Sequence, residues 1–289
     1  MGLGASAATI RAMPDTAADP AHTVQPPLST VSYGADPAQV YDIRLPPSGR
    51  PEATVVVVHG GFWRERHDRS NAAPMAQALA EHGFAVALLE YRRAGMPGGG
   101  WPGTCDDVGD ALDAVSADPS LPAPLVAVGH SAGGHLVAWL ASRGQSAAAG
   151  LVGAVSLGGC VDLSLTARME LGDGAARGFM GGGPDEVPER YAAADPVLLV
   201  PPVVPVHLVH GTADDVVPVQ VSQSYVRAAE ETGTPSTQVW LTALPGVDHM
   251  SVIDPGHPAF AAVLDAVRGL AGGIAGTPTV AAGGADAAP

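Results

Sequence analysis

Six apolar runs punctuate the chain: Thr54 to Val58, Ala85 to Leu89, Leu125 to Val128, Leu151 to Leu157, Val203 to Val209 and Thr237 to Leu244. Most are continuously apolar rather than alternating, as expected of strands buried on both faces of a parallel sheet. The intervening segments, about 70–82, 104–117, 132–143, 218–232 and 257–271, have helical length and spacing. Strands alternating with helices predict an α/β fold, a mostly parallel doubly wound sheet with flanking helices. In such a sheet the ligand cleft lies beyond the carboxyl ends of the strands, so the polar residues just after each run become the candidates for chemistry.

Residues 161–200 break the rhythm with many Gly, Asp and Pro and no clear strand. They read as a small cap or loop excursion, where substrate contacts are often carried. Residues 1–28 and 273–289 are rich in Ala, Gly, Pro and Thr, with too few large apolar groups to offset ordering entropy, and read as loose tails. One catalytic domain, 29–272, remains.

Composition narrows the classes. Hydrophobic residues make up 46% of 289, and no apolar run reaches the roughly 20 residues needed to span a bilayer. The formal charge is −15, with 14 Arg and no Lys, which argues against a nucleic-acid partner. The two cysteines, Cys105 and Cys160, make no disulfide framework and are expected as free thiols. The first 30 residues have no basic start followed by an unbroken apolar core, so a cytoplasmic protein is expected. No H-E-x-x-H, paired CxxC or P-loop pattern is present, so neither metal nor cofactor is expected. The sequence leaves monomer and homodimer both open.

The chemistry is read from the strand ends. Gly129-His130-Ser131-Ala132-Gly133 lies between an apolar run and a helical segment, a G-x-S-x-G strand-to-helix turn that lifts one serine hydroxyl above the sheet edge. So sharp a turn requires very small residues two places before and after the serine. After Val58 comes His59-Gly60-Gly61-Phe62-Trp63, whose glycines let backbone amides approach a substrate oxygen. The amides of Gly61, Phe62 and Ala132 are the expected oxyanion hole, each such donor being worth about 10²- to 10³-fold in kcat.

A serine hydroxyl is a weak nucleophile at neutral pH and needs a base oriented by a carboxylate. Beyond Val209 stands His210-Gly211-Thr212-Ala213-Asp214-Asp215, and beyond Leu244 stands Gly246-Val247-Asp248-His249. Asp214 and Asp215 compete for the acid. His249 is the best base, with His257 in reserve; His207 lies inside a strand and His210 in a turn. His59, His130 and His135 flank the site as packing or hydrogen-bonded groups. Asp162, Arg168 and Arg177 either bind a charged substrate or face solvent, and solvent is the simpler reading.

With these motifs in view, residues 30 to 272 resemble the α/β-hydrolase superfamily, whose order Ser…Asp…His is matched by Ser131, Asp214 and His249. The family pattern His-Gly-x-x-Asp-x-x-Val-Pro, matched from His210 to Pro218, puts the acid at Asp214. Tyr33-Gly34, Asp36-Pro37, Tyr41-Asp42 and Tyr191 through Pro196 add to the likeness. It is nearest the branch of hormone-sensitive-lipase-like esterases, kynurenine formamidases and feruloyl-type esterases. Lipase-like members carry a third glycine where this chain has Phe62-Trp63, and His-Gly-Gly-x-Trp resembles the formamidases. The resemblance implies a serine hydrolase acting on a small acyl ester or aryl formamide, with Phe62 and Trp63 either walling the acyl pocket or packing the core. A prolyl-oligopeptidase-like peptidase and a non-catalytic binding protein on the same fold are the alternatives.

Overall fold

A computed structural model describes residues 24–273. Its eight strands are β1 (Ser29–Ser32), β2 (Val40–Arg44), β3 (Thr54–Val58), β4 (Ala85–Leu89), β5 (Leu125–His130), β6 (Leu151–Leu157), β7 (Val206–Gly211) and β8 (Val239–Leu244). They form one sheet in the order β1-β2-β4-β3-β5-β6-β7-β8. The pairs β1/β2 and β2/β4 are antiparallel and the rest are parallel. The helices are α1 (Ala73–Glu81), α2 (Gly103–Ala117), α3 (Ala132–Ala141), α4 (Gly144–Ala148), α5 (Leu163–Arg168), α6 (Leu171–Met180), α7 (Pro188–Ala194), α8 (Gln220–Glu231) and α9 (Phe260–Ala271). This is the α/β-hydrolase fold.

The pleat divides each central strand between two cores, because successive side chains point to opposite faces. Val56 and Val58 of β3, Ala87 and Leu89 of β4, and Ala127 of β5 meet residues of α2, α3 and α8. Val55 and Val57, Val86 and Leu88, and Val126 and Val128 meet α1 and α9. Both sides are covered, which is why these runs carry no polar alternation.

β5 and β7 run two residues past the apolar runs, to His130 and Gly211, and two strands start later than the sequence reading. Val203 and Val204 stand outside β7 because their amides donate to the carbonyl of Ala141 at the end of α3, at 2.8 and 3.1 Å. The neighbouring Pro205 has no N–H to give to a ladder. Thr237 stands outside β8, since a turn sends the amides of Gln238 and Val239 to Pro235 O. The first tail is also shorter than composition suggests. Gln25 N donates to Gln77 Oε1 at 2.6 Å, and Leu28 N to Ile43 O at 2.8 Å, so residues 24–28 are tied to the domain. The remainder of the expected tails, 1–23 and 274–289, lies outside the described residues. Among the described residues no helix is long and apolar enough to cross a membrane.

The stretch 161–200 is helical. α5 is anchored by two carboxylates: Asp162 Oδ1 caps Leu165 N at 2.7 Å, and Asp195, arriving from the end of α7, accepts from the amides of Leu163 and Ser164 at 2.8 and 2.9 Å. Asp162 Oδ2 also accepts from Ser224 Oγ of α8 at 2.6 Å. Asp162 is therefore buried as a helix cap rather than turned to solvent, whereas Arg168 is exposed and Arg177 forms a surface pair with Glu186 at 2.9 Å.

Burial, and next the Asp162 carboxylate, push Asp195 up to about 7, outweighing the hydrogen bonds that favour its charged form. An acid raised on folding contributes most stability below its unfolded pKa of about 4 and loses that contribution as pH rises through about 7. Urea denaturation between those pH values is expected to show this decline in the wild type and a flatter profile in Asp195→Asn.

Candidate active site

Adjacent parallel strands bring four chain segments to one edge of the sheet. β3 ends beside β5 with Val58 opposite Gly129, and β7 lies beside β8. Ser131 stands between β5 and α3 with φ 57° and ψ −118°, a left-handed conformation that a non-glycine residue adopts only under strain. The flanking glycines are required by space. A Cβ on Gly129 would lie 2.1 Å from Gly133 O, and one on Gly133 would lie 2.1 Å from Val58 O.

The expected acid and base meet. Asp214 Oδ2 accepts from His249 Nδ1–H at 2.7 Å, and Oδ1 accepts from the amides of Val216 and Val217 at 3.0 and 2.7 Å. Burial alone would raise the Asp214 carboxyl, but hydrogen bonds from His210 and His249, followed by the His249 charge and the Val217 amide, hold it well below the ordinary carboxylate range. With Nδ1 protonated toward Asp214, the lone pair of His249 is on Nε2. Asp215 is exposed and takes no part. His257 accepts from Ala259 N at 3.1 Å at the approach to α9.

Ser131 Oγ and His249 Nε2 are both buried without a protein hydrogen-bond partner. Buried polar groups are seldom left so, since each unmade bond costs about 1–3 kcal/mol. The serine and the histidine are thus each held by their own backbone and partners rather than by a bond to each other.

The surrounding histidines hold this frame. His130 Nε2–H donates to His249 O at 2.9 Å, and its ring lies 4.4 Å from that of His249. Burial, and next the His249 ring, lower its pKa to about 3, so it carries no charge beside the base. His210 accepts from Ser222 Oγ at Nδ1, 2.7 Å, and its Nε2–H lies 2.7 Å from Val217 O and 3.2 Å from Asp214 Oδ2. Gly158, with φ +52°, comes so close that a Cβ there would lie 3.1 Å from Asp214 Oδ2 and 3.3 Å from His249 Nδ1.

On the other side of Ser131 the turn after β3 carries Gly61, Phe62 and Trp63, all at positive φ. Among the described residues, the amides of Gly61 and Phe62 have no protein acceptor, and that of Ala132 opens α3, where the first amides have no intrahelical partner. Trp63 is fully buried: its indole N–H donates to His135 Nδ1 at 3.2 Å and its ring stacks on Phe179 at 4.9 Å. Of the two readings open for the aromatics, core packing holds for Trp63. Phe62 sits under Gly172, where a Cβ would meet its ring at 2.8 Å.

That glycine belongs to a run of left-handed residues, Glu170, Gly172, Asp173 and Gly174, with φ of 53°, 58°, 54° and 69°. Arg64 clasps the run by donating to the carbonyls of Gly172 and Asp173. Sequence reading did not find this cover, because Arg64 reaches backbone atoms and no side-chain pattern marks it. Among the described residues no group of three or more His, Cys, Asp and Glu is placed to hold a metal ion, and both cysteines are buried and unpaired.

Residues 41–228 match the family model BD-FAE. The chain belongs to the BD-FAE family. Within the α/β-hydrolases it falls in the esterase and formamidase branch. It is 28% identical over 242 residues to Esterase LipC of Mycobacterium tuberculosis, covering 76% of this chain and 58% of that protein, so it spans under two thirds of that relative's length. To the Kynurenine formamidase of Danio rerio it is 30% identical over 123 residues, covering 42% of this chain and 41% of the other. The crystal structure of Esterase B from Lactobacillus rhamnosis superposes with a TM-score of 0.70 at 18% identity, covering 88% of each chain.

The tight elbow generates one prediction. Gly129→Ala drives a methyl group into a backbone carbonyl, and is expected to lower the denaturation free energy by about 3 kcal/mol or more and to abolish labelling of Ser131 by a fluorophosphonate. Wild-type stability with full labelling would show that the turn tolerates a side chain.

Proposed function

We propose that this BD-FAE member is a serine hydrolase that cleaves small acyl esters through a covalent acyl-Ser131 intermediate. The observation that carries the reading is the 2.7 Å bond between Asp214 Oδ2 and His249 Nδ1, together with the uncommitted Nε2 and the uncommitted Ser131 hydroxyl. A carboxylate held ionised fixes the tautomer and orientation of the imidazole and stabilises the imidazolium that forms when the ring takes a proton.

In the acylation step, Ser131 Oγ attacks the carbonyl carbon while its proton passes to His249 Nε2. The carbonyl π electrons move to oxygen, and the amides of Gly61, Phe62 and Ala132 receive that oxyanion. The tetrahedral adduct collapses with loss of the alcohol or amine, which takes the proton from His249. Water then attacks the acyl-serine, again giving its proton to His249, and collapse returns the proton to Ser131 Oγ and frees the acid.

Two features support a small acyl group. Ser131 is fully buried, and Phe62 is packed beneath Gly172 of the Arg64-clasped turn. The esterase names among relatives and structural neighbours agree with ester hydrolysis, and one of those neighbours carries a tributyrin phosphonate inhibitor. The narrower reading is an arylformamidase acting on N-formylkynurenine. It is favoured by the His59-Gly60-Gly61-Phe62-Trp63 motif and by the partial likeness to the Danio rerio formamidase.

Ser131→Ala is expected to reduce hydrolysis of p-nitrophenyl acetate by at least about 10³-fold with the fold intact, since triad members act as a unit. Unchanged turnover in that variant would overturn the serine mechanism. In a panel of acetyl, butyryl and feruloyl esters with N-formylkynurenine, acetyl and formyl substrates are expected to lead. The formamidase reading falls if the acetyl ester is turned over while N-formylkynurenine is left intact.

A further inference from the structure

We infer that Glu90 is a positioning residue for the oxyanion hole, acting through His59 to set the direction of the Gly61 amide. The inference rests on the serine-hydrolase reading above and deepens it. Glu90 follows β4 and touches none of the reacting groups, yet it is joined to the turn that faces them.

The linkage runs through two hydrogen bonds on one ring. His59 is fully buried, with Nε2 3.0 Å from Glu90 Oε1 and Nδ1 2.8 Å from Gly60 O. The two ring nitrogens face a carboxylate on one side and a backbone carbonyl on the other, so the ring bridges Glu90 to the Gly60-Gly61 peptide. The ring stacks on Tyr91 at 4.4 Å, and the Tyr91 hydroxyl donates to His59 O at 2.8 Å. Glu90 in turn accepts from Arg93 at 2.5 Å and from the amides of Arg69 and Tyr91, each at 3.0 Å. Arg69 is itself held by Asp42 at 2.8 Å. Burial would raise the Glu90 carboxyl, but the His59 bond leads the contacts that bring it below its ordinary value.

The consequence follows from the peptide plane. In a trans peptide the carbonyl of one residue and the N–H of the next point in opposite directions. Drawing Gly60 O onto the His59 ring therefore turns Gly61 N–H away from that ring. The Ser131 turn adjoins this peptide, so near that a Cβ on Gly60 would stand 3.0 Å from Ser131 Cβ. Without the carboxylate the imidazole loses its anchor, the Gly60-Gly61 peptide is free to rotate, and one oxyanion donor is no longer preorganised.

The test is kinetic. Glu90→Gln keeps the side-chain volume and is expected to lower kcat for p-nitrophenyl acetate by about tenfold or more, with KM within about twofold, because the donor acts on the transition state rather than on the ground state. Affinity for an aryl trifluoromethyl ketone, whose adduct with Ser131 carries an oxyanion, is expected to fall by the same factor as kcat/KM. His59→Gln is expected to give a similar loss, and the double variant no more than the larger single effect, as for residues acting in one chain.

Wild-type kcat and ketone affinity in Glu90→Gln, or losses that multiply in the double variant, would overturn the inference. If a Glu90 or His59 variant fails to fold, Tyr91→Phe removes only the hydroxyl on the His59 carbonyl and is expected to cost about threefold in kcat at unchanged KM; no change there overturns it as well. A wild-type protein that neither hydrolyses the ester nor binds the ketone overturns the hydrolase reading together with this one, whereas an active wild type with an unaffected Glu90→Gln overturns this one alone.

Discussion

The cleft depends on how closely the first turn of α3 rides on the carboxyl end of β3. Gly133 lies against the carbonyl of Val58, and Gly60 lies against the backbone of His130, so two segments 70 residues apart meet with no side chain between them. That approach puts Ser131 beside Gly60 in the turn that follows β3. Asp214 and His249 come to the same edge because β6, β7 and β8 continue the parallel order outward from β5. A looser fit at the glycines would separate Ser131 from the turn after β3 while leaving the sheet itself unchanged.

Polar groups around this contact are of two kinds. Some are saturated: Asp214, Glu90 and His210 each make several hydrogen bonds in buried surroundings, which fixes their positions. Others, Ser131 Oγ and His249 Nε2, have none. Folding thus spends rigidity on the groups that orient and leaves the groups that would react uncommitted. Strain is concentrated in the same way, since Ser131, Phe62 and Trp63 all hold positive φ within two adjoining turns.

Much of this was legible in the sequence. The double-sided burial of the sheet showed as unbroken Val, Ala and Leu runs, and Ser131, Asp214 and His249 each stand within five residues of the end of such a run. Glu90 obeys the same rule, standing just after Ala85–Leu89, and was passed over because a lone glutamate carries no motif around it. The remaining differences have physical causes that no local pattern displays. Val203 and Val204 look like strand but are claimed by the last carbonyl of a helix. Asp162 looks solvated but is drawn inward by a helix start and by Ser224. Trp63 sits beside Phe62 in the motif and both are buried in one core cluster, Trp63 with its indole on His135 and Phe62 against Gly172, contacts that no local pattern marks.

The Asp162–Ser224 bond also bears on what selection could change. It ties α5 to α8, the helix that follows the Asp214 turn, while Asp195 ties α5 to the end of α7. The end of α7 is in turn tied to α3 by His135 Nε2 on Ala194 O and Trp139 Nε1 on Ala193 O, at 2.9 and 3.1 Å, so the excursion is moored to the body of the domain at both ends. Its left-handed run at residues 170–174, in contrast, is held by one arginine on two carbonyls, bonds indifferent to which side chains the run carries. Leu171 is buried in the core and Gly172 lies against the Phe62 ring, so within that run it is the exposed Glu170 and Asp173 whose side chains diverging descendants, or a focused mutant library, could vary at the least loss of stability.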